Sequence, residues 1–344
     1  MGSRIHYSAL VTKIRAMQSR LLKEEDFRIL ASMENVPQAA AYLRQIPSYQ
    51  AAMIDLEDAQ IHWEDVERLM VGTLYYDFSK IYRFCNGKQR QVLKLYFAKY
   101  EIAVIKRALR RIFNHGDRTG EARGLRETLQ KYTKVHLAEM AQAETISQFL
   151  EALRDTDYQN VLARLEHSEH ASLFDYEMTL DLFYFSRIWK EKDRFLRGKE
   201  LGMMTATLGS GIDMLNMMWI YRARKYYQMP AASIYTLVIP ITYRLKDEEI
   251  REMVMAESLG KLEALLHRTW YGKRALDFDC GELEKLYRQI LRKVYWTERQ
   301  KDPYSMATVT AYLYDKEQEI DMLTSVLEGV RYGLSSQEIL SYVG

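Results

Sequence analysis

The chain repeats itself three times at intervals of about 110 residues, a period that few architectures accommodate. One block, Glu34-Asn35-Val36 running to Leu43-Arg44 and Tyr49, recurs as Glu144-Thr145-Ile146 running to Leu153-Arg154 and Tyr158. Its third copy is Glu257-Ser258-Leu259 running to Leu266-His267 and Tyr271. A second block, Phe78-Ser79-Lys80-Ile81-Tyr82, returns as Phe185-Ser186-Arg187-Ile188-Trp189 and, more weakly, as Leu291-Arg292-Lys293-Val294-Tyr295. A third is Glu101-Ile102-Ala103-Val104-Ile105, then Ile212-Asp213-Met214-Leu215, then Ile320-Asp321-Met322-Leu323. Three matches in one order and at similar offsets define an internal triplication, with copies at 1–115, 116–229 and 230–344. Helical solenoids repeat roughly every 33 to 47 residues, so each copy is long enough to be a small multi-helix domain. Such domains can close around a pseudo-threefold axis as a funnel with a central opening. Three separate beads would leave the same trace in the sequence.

The copies should be helical. Five prolines and sixteen glycines punctuate the chain, and Leu, Met, Ala, Glu, Arg, Lys and Gln dominate it. The expected fold class is all-α. In the middle copy Ile212, Leu215, Met218, Trp219 and Tyr221 recur at helical spacing, and Met214 and Met217 extend the apolar surface almost all round, so this helix should be deeply buried. Its methionines read as core filling rather than a cofactor pocket, and Pro230 is its expected stop. In the last copy Gly333 is the expected left-handed stop, with Ser335 and Glu338 boxing a short final helix. Asn114-His115-Gly116 ends the corresponding helix of the first copy.

Several chemistries find no support. The 49 basic and 47 acidic side chains leave a net charge of +2, too little to hold the protein on nucleic acid or an anionic membrane by long-range attraction. Cys85 and Cys280 stand far apart and read as buried free thiols of a reducing compartment. The opening residues lack a signal-peptide core, and the apolar stretch at 233–242 is too short to cross a bilayer and contains Pro240, so a soluble chain is expected. The Gly-Lys pairs at Gly87, Gly198 and Gly272 are followed by Gln89, Glu200 and Arg274, which is no phosphate-cradling loop. Gly209-Ser210-Gly211 lacks the third glycine and preceding strand of a dinucleotide site. His167 and His170, beside Glu166 and Glu169, have no third ligand at zinc spacing and read as a solvated helix face. Asp277, Asp279 and Glu282 do not match an EF-hand and read as a polar turn. No cofactor and no metal is expected.

One charged feature stands out. Lys106, Arg107, Arg110 and Arg111, continued by Arg118, Arg123 and Arg126, form a basic run, and Arg222, Arg224 and Lys225 occupy the corresponding helix end of the middle copy. Cations at a helix C-terminus are favoured by the helix dipole alone. Their recurrence leaves Arg107, Arg110, Arg111, Arg222, Arg224 and Lys225 as candidate partner contacts. RNA is a poor partner for them, since no aromatic platform is interleaved.

The segment from Ile212-Asp213-Met214-Leu215 through Trp219-Ile220-Tyr221-Arg222 to Tyr226-Tyr227 resembles the hallmark helix of the C subunit of bacterial and archaeal V/A-type ATPases, whose eukaryotic counterpart is the V-ATPase d subunit. Arg15-Ala16-Met17-Gln18-Ser19-Arg20-Leu21-Leu22 is similar to that family's opening helix, and Glu317-Gln318-Glu319-Ile320 leading to Gly333 and Glu338-Ile339 to its end. The resemblance spans essentially the whole chain. One departure is Gly211, where the other copies carry Glu101 and Glu319; it is expected to loosen one helix start. The resemblance implies a non-catalytic central-stalk subunit, present once per complex, on the cytoplasmic face of the membrane. It would be a funnel of three helical domains joining the rotor shaft to the proteolipid ring and transmitting torque for proton or sodium transport. A free-standing helical scaffold, or a helical enzyme with a scattered site, would be the alternatives.

Overall fold

Corresponding positions of the repeat begin helices in the same way. Asn35, Thr145 and Ser258 each cap a short helix by accepting the backbone N–H three residues on, from Gln38 at 3.0 Å, Gln148 at 3.3 Å and Lys261 at 3.2 Å. The computed structural model describes residues 2–50, 63–114, 129–166, 168, 171–275 and 279–343. These are all-α, with no strand among the described residues.

Helices α1 (Gly2–Gln18), α2 (Glu24–Ala31) and α3 (Val36–Gln45) precede a long antiparallel pair, α4 (Trp63–Phe84) and α5 (Gly87–Phe113). The middle copy has short helices α6 (Leu137–Gln142), α7 (Ile146–Glu151) and α8 (Asp157–Glu166), then the long pair α9 (Leu173–Phe195) and α10 (Gly198–Lys225). The last has α11 (Ala231–Leu237), α12 (Asp247–Val254) and α13 (Leu259–Arg268), then α14 (Leu283–Lys301), α15 (Met306–Arg331) and a final α16 (Ser336–Val343). The first sequence block thus falls on the short helices, the second on the first long helix of each pair, and the third on the second long helix.

Two long helices start with capping boxes, Asn86 with Gln89 on α5 and Ser172 with Asp175 on α9. Aromatic side chains weld the first pair: Phe78 of α4 stacks on Phe97 of α5 with centroids 3.8 Å apart. Gly333 takes the expected left-handed conformation (φ +69°) after α15, and Leu334 N–H returns to the Gly329 carbonyl at 3.0 Å. Ser335 and Glu338 bond reciprocally, as the capping-box pattern predicts. A Cβ on Gly329 would lie 2.6 Å from the Ile339 side chain, so its absence lets α16 lie close against α15.

Two expectations need correcting. Helix α10 ends at Lys225, not at Pro230: Gln228 turns left-handed (φ +48°), Met229 N–H bonds the Ala223 carbonyl at 3.0 Å, and Pro230 serves instead as the N-cap of α11. Gly211 sits in the interior of α10, against Leu291, and loosens no helix start.

The packing runs in cyclic order. Helix α5 packs on α9, α10 on α14, and α15 on α4. The short helices follow the same rule one copy out of step. Helix α7 docks on α5 and α11–α13 dock on α10, while α2 and α3 dock on α15. Residues from the first and last stretches of the chain therefore share one core, with Leu10, Ile14, Leu30 and Leu43 in the same cluster as Leu313, Leu323 and Leu327.

Candidate functional site

The docking of short helices on the preceding copy is fastened three times by a tyrosine hydroxyl on a carboxylate. Tyr158 donates to Glu101 at 2.6 Å, Tyr271 to Asp213 at 2.7 Å and Tyr49 to Glu319 at 2.6 Å. The tyrosines are the last residues of the first block, and the acids lie in or beside the third. Asp213 is wholly buried and also accepts the backbone N–H groups of Tyr243 at 3.1 Å, Arg244 at 2.7 Å and Leu245 at 3.0 Å. Gly209, one turn away, makes room: a Cβ there would meet the Tyr243 ring at 2.5 Å. The Gly209-Ser210-Gly211 run is thus helix interior. Glu319 accepts Leu22 N–H and the buried Lys316 ammonium, which also lies 4.1 Å over the Tyr49 ring. Burial raises the carboxyls of Glu101 and Asp213 above the usual range, with the hydrogen bonds pulling the other way. Tyr49 is held well above its ordinary value by burial first and then by Glu319.

A second cluster gathers side chains from two copies. Glu317 on α15 pairs with Lys99 and accepts from Tyr100 and, at 3.3 Å, from Tyr96 on α5. Tyr295 of α14 stacks on Tyr314 of α15 with centroids 4.5 Å apart. Asp321, one turn beyond Glu317 and open to solvent on one side only, is pushed up to about 6 by the loss of hydration on its packed side and then by Glu317.

The candidate cations divide into two kinds. Arg111 donates to the carbonyls of Ala141, Met140 at 3.0 Å and Ala143 at 2.8 Å, closing the C-terminus of α6. Arg224 donates to the Ala256 carbonyl, which, like that of Ala143, directly precedes a first-block glutamate. These two tie the long helices to the molecule's own backbone. Arg107 and Arg110 are exposed near the end of α5, Arg110 pairing with Glu177 at 2.6 Å, which raises its already high pKa. Arg222 is half exposed and pairs with Glu284; Lys225 bonds the Tyr221 hydroxyl at 3.2 Å and lies over the Tyr221 and Tyr226 rings. Arg118, Arg123, Arg126, His167, His170 and Asp277 lie outside the described residues. Asp279 caps a short 3-10 turn by accepting Gly281 N–H at 2.7 Å. Cys85 and Cys280 are buried free thiols, raised by burial to about 12 and about 11.

Next to Arg222 lies a cleft of about 750 Å³ that sequence reasoning missed. Phe174, Met178, Tyr226, Tyr227, Met229 and Leu283 give it an apolar lining. No local signal announces it, because its walls come from the starts of α9 and α14 and the end of α10. The tyrosine–carboxylate bonds were missed for a similar reason: both partners stood in or beside the repeat blocks, but their pairing crosses copies. Among the described residues no cluster of metal-ligating groups occurs, and no helix is long and apolar enough to cross a membrane.

Comparison with known proteins finds relatives along nearly the whole chain. The family model described as ATP synthase (C/AC39) subunit matches residues 10–342. The chain is similar to the A-type ATP synthase C subunit of Methanosarcina mazei, 23% identical over 97% of this chain and 91% of the relative. The corresponding protein of Pyrococcus abyssi is 24% identical over 98% and 90%, and that of Haloquadratum walsbyi 23% identical over 98% and 97%. The matched span, which covers nearly the whole chain, places it in the ATP synthase (C/AC39) subunit family.

Proposed function

We propose that this protein is the non-catalytic central-stalk subunit of a rotary V/A-type ATPase, joining the rotor shaft to the membrane proteolipid ring and passing torque between them. Its relatives carry the name of an ATP synthase subunit, which supports a role within such a complex. The observation that carries the connector role is the cyclic packing order, in which the long helices of each copy lean on the next and α15 returns to α4. Three copies, 1–115, 116–229 and 230–344, arranged in that order suit a funnel that receives the end of a shaft. Rigid pairs of long helices, with buried aromatic and carboxylate contacts between copies, suit a part that carries load.

The protein would sit once per complex at the cytoplasmic face, held to the membrane through the ring. The exposed cations Arg107, Arg110 and Arg222 and the half-buried Lys225 would meet acidic groups of the neighbouring subunits, with Arg111 and Arg224 stiffening the helix ends behind them. Affinity purification from native membranes tests the reading. Recovery with shaft and proteolipid proteins, at one copy of this chain per complex, is the expected result. Recovery alone or with unrelated proteins would overturn the connector role in favour of a free-standing scaffold. Charge reversal at Arg110 and Arg222 should lower the salt tolerance of assembly without changing the isolated fold.

A further inference from the structure

The three tyrosine–carboxylate clasps differ in what else reaches the acid. Leu22, Val135 and Leu245 each stand two residues before a short helix, α2, α6 or α12. Leu22 and Leu245 give their N–H groups to Glu319 and Asp213, the latter at 3.0 Å. Val135 instead donates to the Thr133 hydroxyl at 3.0 Å, and Glu101 is held by the hydroxyls of Tyr158 and Thr133. A second difference lies on the long helices. Lys316, three residues before Glu319, is wholly buried; its ammonium bonds that carboxylate and lies 4.1 Å over the Tyr49 ring. The residue three before Glu101 is Ala98. Ala98, Glu101 and Tyr158, the counterparts of Lys316, Glu319 and Tyr49, line one cavity of about 250 Å³.

The other charges of the lining nearly balance. Asp157 pairs with Arg187 at 3.3 Å, Asp155 with His136 at 2.7 Å and Glu191 with Arg194 at 3.7 Å. Lys134 is exposed, and Lys94, also exposed, lies 5.9 Å from the Tyr82 ring centroid. Lys94 and Arg187 favour the charged form of Glu101 through space, but among the described residues no cation pairs with it directly. The choice of ligand therefore falls to Glu101, a carboxylate with roughly four acceptor positions and two donors. We propose that the cavity binds a small primary alkylammonium ion, its N–H groups on Glu101, its charge over the Tyr158 ring and its chain along Ala98. A stem of about four carbons, that of a lysine, suits the space. Bound there, the ion would bridge Glu101 of the first copy and Tyr158 of the second, tightening the docking of α8 on α5 by mass action.

The test is a calorimetric titration of the full chain with n-butylammonium chloride, with the thermal unfolding midpoint followed against sodium chloride at equal ionic strength. Saturable binding of one ion per chain and a raised midpoint are expected. Tetramethylammonium, which has no N–H to donate, should bind about tenfold more weakly or worse. Glu101→Gln keeps the shape of the side chain and should weaken butylammonium binding by a similar factor, a charge-assisted bond becoming a neutral one. Ala98→Lys gives the first copy the ammonium of the last, and should raise the midpoint and abolish the binding. Three results would overturn the proposal: no saturable binding by the unaltered chain, equal binding of tetramethylammonium, or unchanged binding in Glu101→Gln or in folded Ala98→Lys. Binding of N-acetyl-lysine amide without butylammonium would also overturn it, by giving the cavity to a lysine of another protein.

Discussion

Asp213 and Asp321 occupy the same place in an identical run, Ile-Asp-Met-Leu, on α10 and α15, yet they face different worlds. Asp213 is buried beneath the loop at 243–245 and Tyr271, and four donors converge on it. Asp321 reaches solvent beside Glu317, and on α15 the clasp has moved to Glu319 two residues earlier. Two residues turn an α-helix by about 200°, so the two helices present different faces to the short helices docked on them. The junctions differ as well. Copies two and three are continuous through the chain at 226–230, and Asp213 holds the incoming loop by its backbone. Copies three and one meet without chain continuity, and there Glu319 is supported by a buried lysine, with Tyr312 donating to Asp77 at 2.5 Å and Ser336 to the Ala31 carbonyl at 2.9 Å.

Breaking the discontinuous junction should have the largest effect. Glu319→Ala strands the Lys316 ammonium in the core and should cost about 3–5 kcal/mol in denaturant unfolding. Adding Lys316→Met should recover most of that loss; no recovery would show that the pair is not what matters there. Asp213→Asn keeps one acceptor oxygen but turns an N–H₂ group toward backbone donors, for an expected loss of about 2–3 kcal/mol. The hydroxyls sharpen the comparison. Tyr49→Phe and Tyr271→Phe should each cost about 1 kcal/mol, but only Tyr49→Phe should speed hydrogen exchange in both α2–α3 and α15. Equal exchange in the two variants would mean that the two junctions open together.

Asp321 gives the smallest effect and the opposite sign. Its folded pKa, about 6, lies above that of the unfolded chain, so its contribution is fully favourable below pH about 4 and is lost as pH rises through 6. Asp321→Asn should therefore stabilise the protein at neutral pH, by at most about 1 kcal/mol given its solvent exposure, and flatten the stability profile between pH 4 and 6. A destabilised variant at neutral pH would show that Lys99 and Arg288 hold the charged form.

What could be read from the sequence was whatever lies along one segment: the all-α class, the deep burial of α10, the glycine stop at Gly333 and the Ser335–Glu338 box. The repeat blocks likewise lie on corresponding helices. Two kinds of information were not local. The shared Ile-Asp-Met-Leu run could not reveal that Asp213 and Asp321 point to different environments, because a helix face is chosen by what docks on it. The candidate cations could not be sorted, because Arg111 and Arg224 find their carbonyl partners 29 to 32 residues away, across turns whose geometry no spacing rule supplies. Pro230 misled for a simpler reason. A proline that cannot continue one helix can equally begin the next, and here the left-handed Gln228 had already ended α10.

Tyr49 and Glu319 stand 270 residues apart, and Leu22 and Glu319 297. At translation rates of roughly 5–20 residues per second, the earlier-made side of that junction waits roughly 15–55 s for its partner. Through that interval the apolar faces carrying Leu10, Ile14, Leu30 and Leu43 lack the cover of α15. The helices around Leu22 and Tyr49 are thus completed by one made some 270 residues later. A chain cut short anywhere before α15 advertises the fact with uncovered leucine and isoleucine, the surface that chaperones and proteases bind, so incomplete copies would be removed before they could be built into a machine.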